Sequence, residues 1–255
     1  NNNTIIFSNK VTYFKNDEII FTSGDSKAIN EDTIISAEEF KYSKKTNILV
    51  AKNKVNIIDS KEDVKIFAQE MTYNKNEEII YTKGFTEAHI QNKYNFYSND
   101  VFYDKKKIEL SSKRKTQVLD DKFNLYELDE FNYSKKKFLL KGKNVKIKTN
   151  FRSLTNSDEY FFENGFFDLK NRNFNASKTE INMQKSIFGN IENDPRLVGV
   201  TSFKENEFTQ INKGVFTRCK KRDGCPPWSL QAQKIIHDKI KKQLVYDHAL
   251  LKIYD

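Results

Sequence analysis

Cysteine, histidine and tryptophan are nearly missing from this chain: two, three and one among 255 residues. Two cysteines, Cys219 and Cys225, make no disulfide framework and cannot close a four-ligand zinc site by themselves. There is no run of about 18 apolar residues, so no segment reads as a membrane-spanning helix. No signal peptide is visible. The chain starts abruptly at Asn1-Asn2-Asn3 and stops at Ile253-Tyr254-Asp255 inside a strand-like pattern, so a piece of a longer protein is expected. Also missing are a Gly-rich phosphate loop, a nucleophile elbow and a His-Glu-x-x-His helix. Acid–base catalysis finds no support, and neither a catalytic residue, a metal nor a cofactor is expected.

Apolar residues make up 37% of the chain, and adding the eight glycines gives about 40%, below the roughly 45–50% usual for that set. A lean core spread along an elongated body fits that figure better than a compact globule. Disorder is excluded by 21 phenylalanines and 12 tyrosines in regular positions. The net charge of +9 raises the question of nucleic acid. The lysines, however, are scattered through turns such as Lys105-Lys106-Lys107 and Lys135-Lys136-Lys137. Lys, Asn, Ile, Phe and Tyr are enriched together, as an AT-rich genome makes them. No nucleic-acid partner is expected, whereas an anionic amphiphile is compatible with the charge.

What the chain does have is a repeat. Tyr13, Tyr42, Tyr73, Tyr103 and Tyr133 are spaced by 29, 31, 30 and 30 residues. Two residues after each stands a lysine: Lys15, Lys44, Lys75, Lys105 and Lys135. Two before stand Val11, Phe40, Met71, Val101 and Phe131. Five before stand Ser8, Ala37, Ala68, Ser98 and Leu128; seven before stand Ile6, Ile35, Ile66, Phe96 and Tyr126.

Each repeat reads as two strands and a turn. Side chains alternate along a strand, so positions seven and five before the tyrosine share a face, as do those two before, at and two after it. The step of three between the two sets breaks the parity, at polar pairs such as Glu38-Glu39, Asn99-Asp100 and Asp129-Glu130. A bulge or corner there re-aims the strand. Polar runs such as Lys15-Asn16-Asp17 and Lys75-Asn76-Glu77 supply the turn. Return strands follow at Ile19-Ile20-Phe21, Ile48-Leu49-Val50, Ile79-Ile80-Tyr81 and Phe138-Leu139-Leu140, and Gly24 and Gly84 mark a further turn or bulge. Glu and Lys favour helix, but the apolar spacing is two and is filled by β-branched and aromatic residues. Stacked two-strand repeats of about 30 residues, each burying its open face on the next, make the chain all-β.

Past residue 150 the pattern degrades, and Phe174, Ala176, Thr179 and Ile181 echo the columns. A sixth copy returns at Leu230, Ala232, Ile235, His237 and Lys239, with Leu244-Val245-Tyr246 as its return strand. All three prolines and five of the eight glycines lie in this second part. One elongated domain is expected, with residues 1–149 as its regular part and 150–255 as a loopier section on the same plan.

Three stretches carry a resemblance: Asn193-Asp194-Pro195-Arg196-Leu197-Val198-Gly199, Gly214-Val215-Phe216-Thr217-Arg218-Cys219, and Pro227-Trp228-Ser229-Leu230-Gln231-Ala232 through Ile236-His237-Asp238. Together they resemble the outer-membrane lipopolysaccharide-assembly family LptD, also called OstA. In that family a phenylalanine or tyrosine, a threonine, any residue and a cysteine precede a tryptophan and an isoleucine-histidine-aspartate, just before a large transmembrane β-barrel. Phe216, Thr217, Cys219, Trp228, Ile236, His237 and Asp238 match it. The upstream repeats resemble the family's soluble sheet in pattern only.

The resemblance implies an OstA-like, V-shaped β-jellyroll enclosing a greasy groove, on the periplasmic side of the bacterial outer membrane. It implies lipopolysaccharide as cargo, taken from an LptA-like bridge protein by edge-strand pairing and passed to the chain's own C-terminal β-barrel, with an LptE-like lipoprotein as further partner. Groove-lining candidates are then Ile35, Phe40, Ile66, Met71, Phe96, Val101 and Phe131, although a sealed core shows the same apolar columns. Cys219 matches the family cysteine that pairs with one in the barrel. Cys225 is an addition to that pattern, so the partner of Cys219 stays open. An oxidising periplasm favours a structural disulfide at Cys219 and Cys225 over a redox or metal site. The tyrosine column reads first as strand packing, His237 within it as structural, and Trp228 as an anchor for its loop. A passive β-solenoid scaffold or adhesin is the alternative, but it has no reason to carry the segment around Cys219 and Trp228. A polysaccharide-acting β-helix enzyme needs clustered carboxylates that the columns lack.

Overall fold

The computed structural model describes residues 4–153, 157–190, 192–221, 226–241 and 243–254. Among them the secondary structure is all strand, apart from one 3-10 turn at Lys185–Phe188. In chain order the strands are β1 (Ile5–Phe7), β2 (Lys10–Phe14), β3 (Ile19–Asn30), β4 (Thr33–Ser43), β5 (Ile48–Asp59), β6 (Val64–Asn74), β7 (Ile79–Ile90), β8 (Tyr94–Asn99), β9 (Phe102–Asp104), β10 (Glu109–Ser112) and β11 (Thr116–Asp120). There follow β12 (Leu125–Leu128), β13 (Glu130–Ser134), β14 (Leu139–Lys148), β15 (Glu159–Asp168), β16 (Asn173–Asn182), β17 (Arg196–Glu205), β18 (Phe208–Thr217), β19 (Trp228–Asp238) and β20 (Gln243–Ile253). By packing they form two compact units, residues 1–121 with 132–136, and residues 122–131 with 137–255. The division at 149/150 drawn from the sequence was one of repeat regularity, and packing groups the residues differently.

In the first unit each strand pairs antiparallel with the next from β3 to β7. β7 pairs with both β8 and β9, the two halves of one interrupted strand, and these pair in turn with β11 and β10. The parity break read from the sequence is a row of β-bulges. The register shifts between Ser23 and Ser26, Ser36 and Glu39, Lys52 and Val55, and Ala68 and Glu70. The extra residue falls each time on the return strand, where the backbone turns left-handed at Gly24 and Asp25, at Asn53 and Lys54, and at Gly84. Gly84, at φ 77°, is the residue for which that conformation carries no Cβ penalty.

A bulge frees backbone groups, and here they are buried, so something must bond them. Hydroxyl pairs do it. Thr82 Oγ1 sits 2.7 Å from Thr86 Oγ1 and accepts the Val101 N–H at 2.9 Å. Thr22 Oγ1 and Ser26 Oγ lie 2.6 Å apart, and the Phe40 N–H donates to Thr22 at 3.2 Å. Ser98 and Thr116 form a third pair at 2.7 Å. Beyond the bulge the strand folds over, so that its halves face each other. Lys105, in the turn after β9, reaches Thr33 at the far end of β4, Nζ to Oγ1 at 2.5 Å. Lys135 reaches Glu62 at 3.0 Å across a separation of 73 residues. The apolar columns fill the space between, with Phe40, Ile66, Met71 and Phe96 at 1% exposure or less.

The second unit runs from β14 to β20, each strand antiparallel to the next and bent at mid-length without the register shifts of the first. Every other strand carries one left-handed residue at mid-length: Asn144, Lys178, Lys213 and His248. Thr179 and Ser202 provide the buried hydroxyl pair, 2.6 Å apart. Small residues mark the bend, as where Gly142 pairs Gly165 and Gly165 pairs Ala176. A Cβ on Gly165 would collide with the Phe167 ring, which folds back over it.

The bend predicts a stability difference. Thr82→Val keeps the side-chain shape but strands the buried Val101 N–H, so urea denaturation should show a loss of about 1–3 kcal/mol. Thr72→Val, at an ordinary ladder position of β6, should stay within about 0.5 kcal/mol of the parent.

Candidate functional site

The seven groove candidates are all buried, from 0% exposure at Ile66 and Met71 to 4% at Phe131. Six lie in the first unit and Phe131 in the second. Such burial is common to a sealed core and to a groove closed on itself. The tyrosine column sinks inward along the first unit: Tyr13 is half exposed, Tyr42 partly buried, and Tyr73, Tyr103 and Tyr133 buried. Burial, followed by the Glu78 carboxylate, pushes the Tyr73 phenol up to about 12. Tyr133 packs its ring on Phe96, with centroids 5.2 Å apart. Cys219 Sγ lies 3.9 Å from the Trp228 carbonyl, and Cys225 falls outside the described residues.

Two of the repeat lysines are drawn inward. Lys105 Nζ stands 3.9 Å from the buried Asp59 carboxylate, which also accepts the Tyr103 hydroxyl at 3.4 Å. Lys135 pairs with Glu62. Asp59, Glu62 and Lys105 also border a polar cavity of about 170 Å³ in the first unit. Asp59, Glu62 and Glu78 line it opposite Lys61, Lys75 and Lys105.

The second unit holds a larger and greasier cavity, about 280 Å³. Its floor is Tyr126, Ile147, Tyr160, Phe167, Leu169 and Phe174. The rings pack on one another in tilted and edge contacts, Tyr126 on Phe167 at 6.4 Å and Tyr160 on Phe174 at 5.9 Å, with Phe162 behind at 5.0 Å from Phe174. Its mouth carries Arg172, Lys204 and Lys239. Lys239 Nζ is 3.2 Å from Asp158, whose carboxylate also meets the Tyr160 hydroxyl at 3.5 Å. Burial pulls the Lys239 ammonium down, but the Tyr160 hydroxyl and the Asp158 carboxylate outweigh it and hold it above its ordinary value. Lys204 is lowered, by burial first and by Lys239 second.

The sequence pointed to Lys239 and His237 through the sixth repeat, and to Phe174 as an echo. It missed Tyr160, Phe162, Phe167 and Lys204, which lie where the repeat fades. The signal available was the pair of phenylalanine doublets, Phe161-Phe162 and Phe166-Phe167, around Gly165.

No protein-family model and no curated protein matches this chain. Among solved structures it is similar to that of LptH, the LptA-homologous periplasmic component of the conserved lipopolysaccharide transport device from Pseudomonas aeruginosa. The two are 9% identical with a TM-score of 0.38, over 40% of this chain and 76% of that one.

His237 is buried beside this cavity's rim, and burial followed by Lys239 lowers its pKa below 6.5, against the pull of Asp158 and Asp238. The unfolded chain therefore takes up this proton first, and stability present above pH 6.5 is lost as the pH falls through that value. Urea midpoints should drop between pH 7.5 and 5.5 in the parent, and His237→Tyr, which restores the column residue, should flatten that drop.

Proposed function

We propose that this chain conducts lipopolysaccharide, holding acyl chains between the facing halves of its folded strands while the phosphorylated headgroup stays in water. The observation that carries the reading is the second unit's cavity, whose buried lining is aromatic and aliphatic and whose more exposed lining carries Arg172, Lys204 and Lys239 with Asp168 and Glu207. Five buried methylenes contribute about 4 kcal/mol, enough to retain an acyl chain without a polar site around it. The motif of Phe216, Thr217, Cys219, Trp228, Ile236, His237 and Asp238 extends the reading. It makes the chain the periplasmic part of an outer-membrane assembly protein, followed by a β-barrel and served by an LptE-like lipoprotein.

In that reading an LptA-like donor docks by strand pairing, and the first unit supports it. β1 and β2 pair with β3, and Ile5, Phe7, Val11 and Tyr13 on them are about half exposed. Cys219 and Cys225 are oxidised in the periplasm, to each other or to barrel cysteines. The passive-scaffold alternative draws on one observation, the tight burial of the seven column residues.

Photo-crosslinking separates the two. A crosslinking residue at Tyr126 or Phe174, or at Phe40, Met71 or Phe96, in cells making lipopolysaccharide should give lipid adducts. Adducts should be sparse at the exposed turn positions Lys106 and Lys136. Labelling as strong at the turns, or none at either interior set, contradicts transport.

A further inference from the structure

The mouth of the second unit's cavity is built from stacked turns. Arg172 lies in the turn between β15 and β16, Lys204 near the end of β17, and Lys239 in the turn after β19. The stacking is held by the backbone, the Lys239 N–H donating to the Glu207 carbonyl at 3.1 Å. The anions around these cations are mostly engaged. Asp158 takes Lys239. Asp168 caps its own turn, accepting the Lys170 and Asn171 N–H groups at 3.0 and 2.9 Å. Glu207 is the remaining carboxylate on the rim.

Lys204 is left in an unusual position. It is half-buried, and the contact it makes is a 2.9 Å hydrogen bond to the Arg172 carbonyl. Among the described residues neither Lys204 nor Arg172 forms an ion pair with a carboxylate within 4.0 Å. A half-buried ammonium with donors to spare, beside the exposed Arg172 guanidinium, favours an anion at this point of the rim. The buried lining below is aromatic and aliphatic, so a ligand that carries both an anion and a hydrocarbon chain matches the site.

We infer that Lys204 and Arg172 seat the phosphate of an amphiphile whose acyl chain lies on the Tyr126, Phe167 and Phe174 floor, with Lys239 fixing the mouth. The inference rests on the lipid reading above and names the part of the lipid that this site recognises. Phosphate suits it because a tetrahedral anion offers several oxygens to an ammonium and a forked guanidinium at once.

Calorimetric titration of the full chain with dodecyl phosphate, dodecyl maltoside and inorganic phosphate, all below micelle formation and at one salt concentration, tests it. Dodecyl phosphate should bind about tenfold more tightly than dodecyl maltoside, which corresponds to about 1.4 kcal/mol. Lys204→Gln and Arg172→Gln should each remove most of that ratio and leave the maltoside affinity unchanged, which also shows that the fold is intact. Lys204→Arg should keep the ratio, and Glu207→Gln should raise it. Equal binding of the two amphiphiles by the parent overturns the phosphate seat and leaves the acyl cleft standing. Binding of neither overturns the lipid reading itself. Inorganic phosphate binding as tightly as dodecyl phosphate overturns the amphiphile in favour of a simple anion site.

Discussion

A strand of ten to twelve residues in these units cannot run straight, because both of its halves must bury the same apolar stripe. It folds at mid-length, and the fold breaks the hydrogen-bond ladder inside the protein, where a stranded N–H costs about 1–3 kcal/mol. The hydroxyl pairs Thr22 with Ser26 and Thr82 with Thr86 stand at that break and bond the Phe40 and Val101 N–H groups it frees, while Ser98 with Thr116 and Thr179 with Ser202 pair their hydroxyls there. The left-handed residues beside them carry the change of direction. With the corner satisfied, facing halves come close enough for Phe40, Met71 and Phe96 to pack; without it the columns would have nothing to face.

The two units use the space so created differently. In the first, large apolar residues line it closely, and Lys105 and Lys135 reach the Asp59 and Glu62 carboxylates. In the second, rings replace aliphatic residues, and small residues at the bend let Phe167 fold back over Gly165. Among these rings a cavity of about 280 Å³ stays open, with Arg172, Lys204 and Lys239 on its lining. In the proposed reading the ligand site is this cavity, with no special loop required.

Much of this was legible in the sequence. The tyrosine spacing gave the hairpins, and the step of three before the tyrosine marked the level of the bend as a bulge or corner, although the extra residue of each bulge falls on the neighbouring return strand. Asn53 and Lys54 were not legible as left-handed residues, since neither type demands that conformation as glycine does. The hydroxyls sit nine residues after the tyrosine, at Thr22, Thr82 and Ser112, in a column that reads as Ala51 and Gly142 in the other copies. Its shared property is small size, which hydropathy does not register. The inward course of Lys105 and Lys204 was not legible, because the direction of a long side chain is decided by the groups it meets, the Asp59 carboxylate and the Arg172 carbonyl, about 46 and 32 residues away. Tyr160, Phe162 and Phe167 escaped because they stand where the repeat no longer repeats.

The central claim is that hydrocarbon enters between the folded halves of the second unit's strands. Methyl-resolved NMR with a spin-labelled acyl probe tests it directly. Ile147 and Leu169 lie in the cavity wall, each 7% exposed, while Val198 and Leu250 are on open surface at 46% and 56%. Ile147 and Leu169 should broaden at the lowest probe concentrations, ahead of Val198 and Leu250. Broadening confined to Val198 and Leu250, with the two buried methyls untouched, would contradict the account.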